Sequence, residues 1–163
     1  MPIKLVPALK GVITAVIMIV ILLWVYYTDI PADSPVQYLI YAVYALGILW
    51  TLITYRRSAT FTGKFSDLFN QGFRCFIVIT LCITFFYWLF NNLHPEFRQQ
   101  MADTLRKQLT EAKDKMPSDI DRDVAAFKKQ YIISLISRAI FGYLIIGAGV
   151  TAAASALLSR RNN

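Results

Sequence analysis

The residue types that most often carry out chemistry are few in this sequence and lie apart. The single histidine, His94, precedes a proline, and the two cysteines, Cys75 and Cys82, are seven residues apart. On a helix the cysteines would be about 10 Å apart along the axis, too far for a disulfide bond, and a metal ion would need further ligands. We therefore predict no catalytic, metal or cofactor site, and a protein that is not an enzyme.

Three alternating aspartates could suggest a calcium loop. Asp119, Asp121 and Asp123 have the spacing of the first three ligands of such a loop. The motif also requires glycine at its sixth position and glutamate at its twelfth, where this sequence has Val124 and Gln130. The sequence therefore predicts no calcium site here.

The basic residues are the remaining candidates for binding. The chain has 17 lysines and arginines and a net charge of +7, but these residues fall between apolar segments and do not form one patch, so we predict no nucleic-acid partner. Arg56, Arg57, Lys64 and Arg74 lie in or beside one such connection. They could contact an anionic lipid head group.

Four long apolar segments must position these residues. They cover about 11–28, 36–55, 75–93 and 139–159, and hydrophobic residues make up 56% of the chain. About 20 apolar residues span a bilayer as a helix. The sequence predicts an all-α membrane protein, a bundle of four transmembrane helices in a single domain of residues 1–163.

Charge predicts the orientation of these spans. With the amino terminus inside, the inner segments contain eight basic residues and one acidic residue, whereas the outer segments are balanced. Basic residues favour the cytoplasmic side. Both termini should therefore be cytoplasmic.

An inner connection and an outer connection have structure of their own. Residues 60–73 carry phenylalanines and Leu68 at helical spacing, with Gly63 and Gly72 as bends, which predicts a short amphipathic helix in the inner interface. It could be an anchor, a gate or a lipid-binding element.

The outer segment 95–138 has two apolar stripes, which include Leu105 and Phe127, and predicts a helical hairpin whose second helix continues into the fourth span. The stripes could cover each other, a partner or the membrane surface.

The fourth span is rich in small residues. Gly142, Gly149 and Ala153 belong to this set, and the last two have the spacing that allows two membrane helices to approach closely. This face could pack within the bundle or form a subunit interface.

The layout resembles a known family. Two spans with a short connection are followed by Arg56-Arg57, the segment from Thr60 to Gly72-Phe73, a charged outer hairpin and a glycine- and alanine-rich last span. This resembles the uncharacterised four-span inner-membrane proteins of Bacteroidota, domain-of-unknown-function family 4199. The resemblance implies a bacterial inner membrane and a periplasmic hairpin 95–138, and it implies no catalytic residues.

The function that these features favour is that of a non-enzymatic accessory or scaffold subunit of an inner-membrane assembly. Its expected partners are membrane lipid and a membrane protein, and a homo-oligomer is a further option. The first alternative is a protein that handles lipids or lipid-linked sugars, through the basic inner connection. The second alternative is a small transporter, which would need a polar cavity that the apolar segments do not indicate.

Overall fold

The computed structural model describes residues 6–28, 35–112 and 116–160, and all regular structure within them is helical. The five helices are α1 (Pro7–Tyr27), α2 (Val36–Arg56), α3 (Phe65–Leu93), α4 (Glu96–Glu111) and α5 (Pro117–Arg160). Four of them, α1, α2, α3 and α5, are long and apolar enough to cross a membrane. This confirms the predicted fold class, and the chain is a multi-pass membrane protein.

The chain, expected as a single domain, divides into two compact units. The first unit contains the residues up to Ile83 and those from Ile140 onward, and thus α1, α2, the first part of α3 and the last part of α5. The second unit, Thr84–Ala139, contains the end of α3, all of α4 and the beginning of α5.

Close approaches at glycines set the register of the first unit. A Cβ atom at Gly47 of α2 would lie closer than 3.0 Å to Thr14 of α1, and one at Gly72 of α3 would lie equally close to Thr151 of α5. Gly147 of α5 has the same relation to Phe76 of α3. With the contact between Lys10 and Trp50, the order of these contacts shows that α1 and α2 run antiparallel, as do α3 and α5, because the residue numbers of each pair change in opposite directions.

Helices α1 and α3 begin earlier than the predicted apolar segments, whereas α2 begins at the predicted residue, Val36. Pro7 stands in the first turn of α1, where its missing amide hydrogen has no cost, so α1 begins four residues before the predicted span. The predicted separate helix over 60–73 is absent. Residues 65–73 form the first turns of the continuous helix α3, and the chain turns before it at Gly63, whose φ of 83° favours glycine. Gly72 is not a bend, since it lies inside α3 against Thr151.

Two prolines mark the helix boundaries of the second unit. Pro95 separates α3 from α4, and Pro117 is the first residue of α5. The backbone amides of Asp119 and Ile120 donate to the Met116 carbonyl, so α5 begins at Pro117. As the sequence predicted, α5 then continues without interruption to Arg160.

Candidate functional site

The basic end of the first unit is the end at which α1 and α3 begin and α2 and α5 end. Arg56 is the last residue of α2, Arg57 follows it, and Lys64 immediately precedes α3. Arg57, Lys64 and Arg74 are exposed and Arg56 is half-buried. Within the described residues, none of these four cations has an ion-pair partner. The sequence-predicted head-group contacts therefore lie on this end or on α3 beside it, with their charges available. Lys4 and Arg161 fall outside the described residues.

The acidic residue of this connection, Asp67, accepts a hydrogen bond from a neighbouring side chain. The Thr62 hydroxyl donates to the Asp67 carboxylate in the first turn of α3. Next to it, the rings of Phe65, Phe69 and Phe73 stack along α3 with centroid separations of 5.7 and 6.4 Å. Phe65 and Phe73 are exposed. This end of α3 thus combines an apolar aromatic surface with cations that form no ion pair within the described part of the chain.

A lysine inside α1 is the site residue that the sequence pattern missed. Lys10 begins the core face of this helix, which continues through Thr14 and Met18, and only 5% of Lys10 is exposed. Its ammonium lies 5.4 Å from the ring centroid of Trp50 in α2. Lys10 has no ion-pair partner among the described residues. Two features of the sequence could have indicated this placement. Pro7 is typical of a helix start, and Lys10, Thr14 and Met18 are spaced four residues apart, which puts them on one face of the helix.

Below Lys10 the core contains a small polar network. Thr14 donates its hydroxyl to the Lys10 carbonyl at 2.8 Å. Thr51 of α2 contacts both the Gly47 carbonyl at 3.1 Å and the Cys75 sulfur at 3.2 Å. Cys75 is completely buried, whereas Cys82 is only half-buried. The Thr51 contact therefore ties α2 to α3 close to the basic end.

Two hydroxyls at the same end of α5 are buried without a partner. Thr14, Thr51 and Thr80 donate to the carbonyl four residues earlier, as threonines in helices commonly do. The side-chain oxygens of Thr151 and Ser155 are enclosed and make no hydrogen bond within the described chain. The first unit thus has a polar interior at its basic end, which its apolar composition did not indicate.

A tyrosine joins α2 to α5 on the other side of this network. Tyr44 is fully buried, and its hydroxyl donates to the Tyr143 carbonyl at 2.8 Å. The two rings meet edge to face with centroids 5.2 Å apart. A buried tyrosine hydroxyl requires a partner, and the small Gly147 leaves room for it.

The small residues of the fourth span divide between two faces of α5. Gly147 is buried against Tyr44 and Phe76, whereas a Cβ atom at Gly142 or Gly149 would have no neighbour within 4 Å. Ala153 is exposed, as Gly149 is. The three residues that the sequence singled out therefore do not form the internal seam. They lie on the outward face of the first unit.

In the second unit, α4 packs against the first part of α5. Ala102 of α4 is buried with Ile120 and Val124 of α5, and Leu109 and Phe127 pack against them. Leu105, expected in the same stripe, is half-buried, whereas Met101, one helical turn before it, is exposed. The contact face is thus rotated by about one residue from the predicted stripe, because the small Ala102 lets the two helices approach.

The charged residues of the second unit are helical and paired. Arg106 of α4 forms an ion pair with Asp121 of α5, and Asp119 pairs with Arg122 on its own helix. Next to the first pair is an open cavity of about 220 Å³, lined mainly by polar residues. Because the aspartates lie in helical turns of α5, they do not form a calcium loop. The tip of the predicted hairpin, residues 113–115, is outside the described residues.

The only histidine marks the junction of α3 and α4. His94 Nδ1 lies 2.7 Å from Glu96 Oε1. The pKa of Glu96 is below its usual value, first because its own backbone amide donates to it and then because of His94. In the described chain, no group of three or more histidine, cysteine or acidic residues could hold a metal ion.

A family model extends over this whole arrangement. The family described as protein of unknown function (DUF4199) matches residues 10–161. The chain belongs to this family. The DUF4199 match begins at Lys10, contains almost the full length of all four candidate spans and includes the second unit. The comparisons with curated proteins and with solved structures found no match to the chain.

Proposed function

We propose that this DUF4199 protein is a non-enzymatic accessory or scaffold subunit of an inner-membrane assembly. The supporting observation is the outward face of α5. Gly142, Gly149 and Ala153 lie there, with bulky neighbours such as Ile145, which is 71% exposed. Small residues beside large ones form a shallow groove along a membrane helix.

The internal packing of the first unit does not use this groove. Gly11, Gly47, Gly72 and Gly147 provide the close approaches between helices of the chain. Membrane helices associate by van der Waals packing, and small residues let two backbones come close. A partner helix would gain such contacts at Gly149, which leaves its backbone uncovered within the chain. The expected partner is therefore a membrane protein or a second copy of this chain.

The proposal includes a location and an orientation. The basic end would face the cytoplasm of a bacterium, because cations are favoured on that side of the inner membrane. Both termini would then be cytoplasmic, and α4 with the beginning of α5 would be periplasmic. This places the paired charges Arg106 and Asp121 in water.

Co-purification of a tagged chain in mild detergent tests the subunit role. The wild-type protein should retain a stoichiometric protein partner or a second copy, identified by mass spectrometry. Ala153→Ile should remove that partner, because the larger side chain fills the groove. Ala42→Ile is the matched control, since Ala42 is an exposed alanine in another span. A wild-type chain that purifies alone, or equal effects of the two variants, would contradict the proposal.

Lipid handling is the second candidate function. It is supported by Arg56, Arg57, Lys64 and Arg74, which have no ion-pair partner among the described residues, and by the exposed phenylalanines of α3. Basic residues at a membrane surface attract anionic lipids.

Native mass spectrometry tests this candidate. Replacing Arg56, Arg57 and Lys64 with glutamine should lower the number of retained anionic lipids. Replacing Arg98, Lys128 and Lys129 of the second unit removes the same charge and should leave retention unchanged. Equal retention by all three proteins would eliminate this candidate.

A further inference from the structure

Lys10 is a buried cation that forms no ion pair with any of the described residues. The residue is 5% exposed and lies within a candidate span, yet within the described residues its ammonium has no ion-pair partner and lies over the face of Trp50. A buried charge is unfavourable unless it is paired, and an aromatic face replaces only part of its hydration. We propose that Lys10 binds the phosphate of an anionic membrane lipid at the basic end of the first unit.

The counter-charge must come from outside the described chain. Arg56, Arg57, Lys64 and Arg74 around this end have the same sign as Lys10, and the carboxylate of Asp67 forms no ion pair with Lys10. The neighbouring Cys75 is a thiol that contacts Thr51. An exogenous anion therefore satisfies the ammonium better than any neighbouring group on these helices.

The depth of Lys10 fits a lipid phosphate. Lys10 is the fourth residue of α1, which begins at Pro7, so its Cα lies about 5 Å along the helix from the end. Lysines near the end of a membrane helix extend their ammonium toward the head groups, with the aliphatic stem covered by apolar surface. The phosphate layer is within reach of such a side chain.

The neighbouring residues of α2 have the chemistry of a head-group site. Trp50 is 41% exposed, as interfacial tryptophans are. Arg57 follows it by seven residues, which places both on the same side of the helical register, and Thr54 lies exposed between them. Lys10 would hold the phosphate, Trp50 would lie at the boundary of the acyl chains, and Arg57 would add attraction from the surface.

This inference does not rest on the accessory role. It also differs from the second candidate function, which places lipid binding on the exposed residues of the basic connection. It assigns binding to a side chain inside a span. Lys64→Met and Lys10→Met remove the same charge from the same end, so comparing them separates a specific site from the general field of the basic surface.

Fluorescence quenching of Trp50 provides the test. With Trp24 and Trp88 replaced by phenylalanine, Trp50 is the single tryptophan of the full chain. This protein is placed in vesicles of phosphatidylcholine and phosphatidylglycerol in which one or the other lipid carries brominated acyl chains at equal mole fraction. Phosphatidylglycerol should be enriched beside Trp50 by about fivefold, the effect of one cation close to an anionic head group.

The variants decide the assignment. Lys10→Met and Lys10→Gln should remove most of the enrichment and leave only the part due to the basic surface. Lys64→Met should retain most of it, with all proteins keeping the wild-type thermal transition. Equal quenching by the two lipids in the wild-type protein would overturn the proposal even if the variants do not fold. It would also be overturned if Lys10→Met retained the enrichment. Equal quenching by the two lipids, together with a thermal transition raised by inorganic phosphate but not by sodium chloride of the same ionic strength, would assign the site to free phosphate and overturn the lipid source.

Discussion

Among single residues, Gly47 and Gly149 have opposite surroundings in the same kind of helix. A Cβ atom at Gly47 would meet the side chain of Thr14 closer than 3.0 Å, whereas one at Gly149 would have open space. Thr14 cannot easily move away, because it is β-branched and its hydroxyl is bonded to the Lys10 carbonyl. The two positions therefore form a matched pair for substitution by alanine.

We expect Gly47→Ala to lower the free energy of unfolding by about 1–3 kcal/mol through overpacking. Gly149→Ala should leave it unchanged or raise it by up to about 1 kcal/mol, because alanine is the better helix former. Unfolding of both variants in mixed micelles measures the difference. Equal destabilisation by the two substitutions would contradict the packing at Gly47.

Tyr44 provides a second prediction for a single residue. Tyr44→Phe removes the hydrogen bond to the Tyr143 carbonyl while keeping the edge-to-face ring contact. We expect the free energy of unfolding to fall by about 1 kcal/mol, the usual range for a hydrogen bond between membrane helices. The control is Tyr41→Phe, since Tyr41 is exposed on the same helix. An equally small effect of both substitutions would contradict a stabilising role for the hydroxyl.

At the scale of helices, the contact between α4 and α5 depends on one small residue. Ala102 is completely buried against Ile120 and Val124, whereas its neighbour Met101 is 47% exposed. Ala102→Asp would bury a carboxylate without a partner, which is strongly unfavourable. Limited proteolysis should therefore cut residues 96–112 of this variant faster than in the wild-type protein.

Met101→Asp is the matched control for the helix contact. It introduces the same charge one residue earlier on the exposed side of α4, so its digestion should resemble that of the wild-type protein. The four spans should stay inserted in both variants. Slow digestion of Ala102→Asp would show that α4 does not depend on this cluster.

The pattern of apolar residues predicted that the helices exist more accurately than it predicted the residues at which they begin and end. The spans were recognisable because lipid requires long apolar segments whose backbone groups are all bonded. The separate amphipathic helix over 60–73 was not found, because no residue between Phe65 and Leu93 interrupts the backbone hydrogen bonds of α3. A change from polar to apolar surface along a helix marks a change of environment and does not require a break.

At the scale of the whole molecule, the excess positive charge should fix the orientation in the membrane. Eight basic residues and one acidic residue belong to the segments at the basic end. A reporter fused after Asn163 should therefore be active when it requires the cytoplasm, and one inserted at 113–115 when it requires the periplasm. Reversed activities of the two fusions would contradict the orientation.

The four apolar helices could be predicted from the amino-acid sequence alone, because lipid selects for length and hydrophobicity. The continuity of α5 and the resemblance to a family of unknown function could also be predicted, from the helical pattern and the layout of the chain. The side of each helix that faces another became visible in the packed structure. This packing buried Lys10 and Tyr44, and it turned Gly147 inward and Gly149 outward on one helix. The physical reason is that almost every residue of a span is apolar or small, so hydrophobicity alone does not distinguish its faces, and the fit between neighbouring helices does.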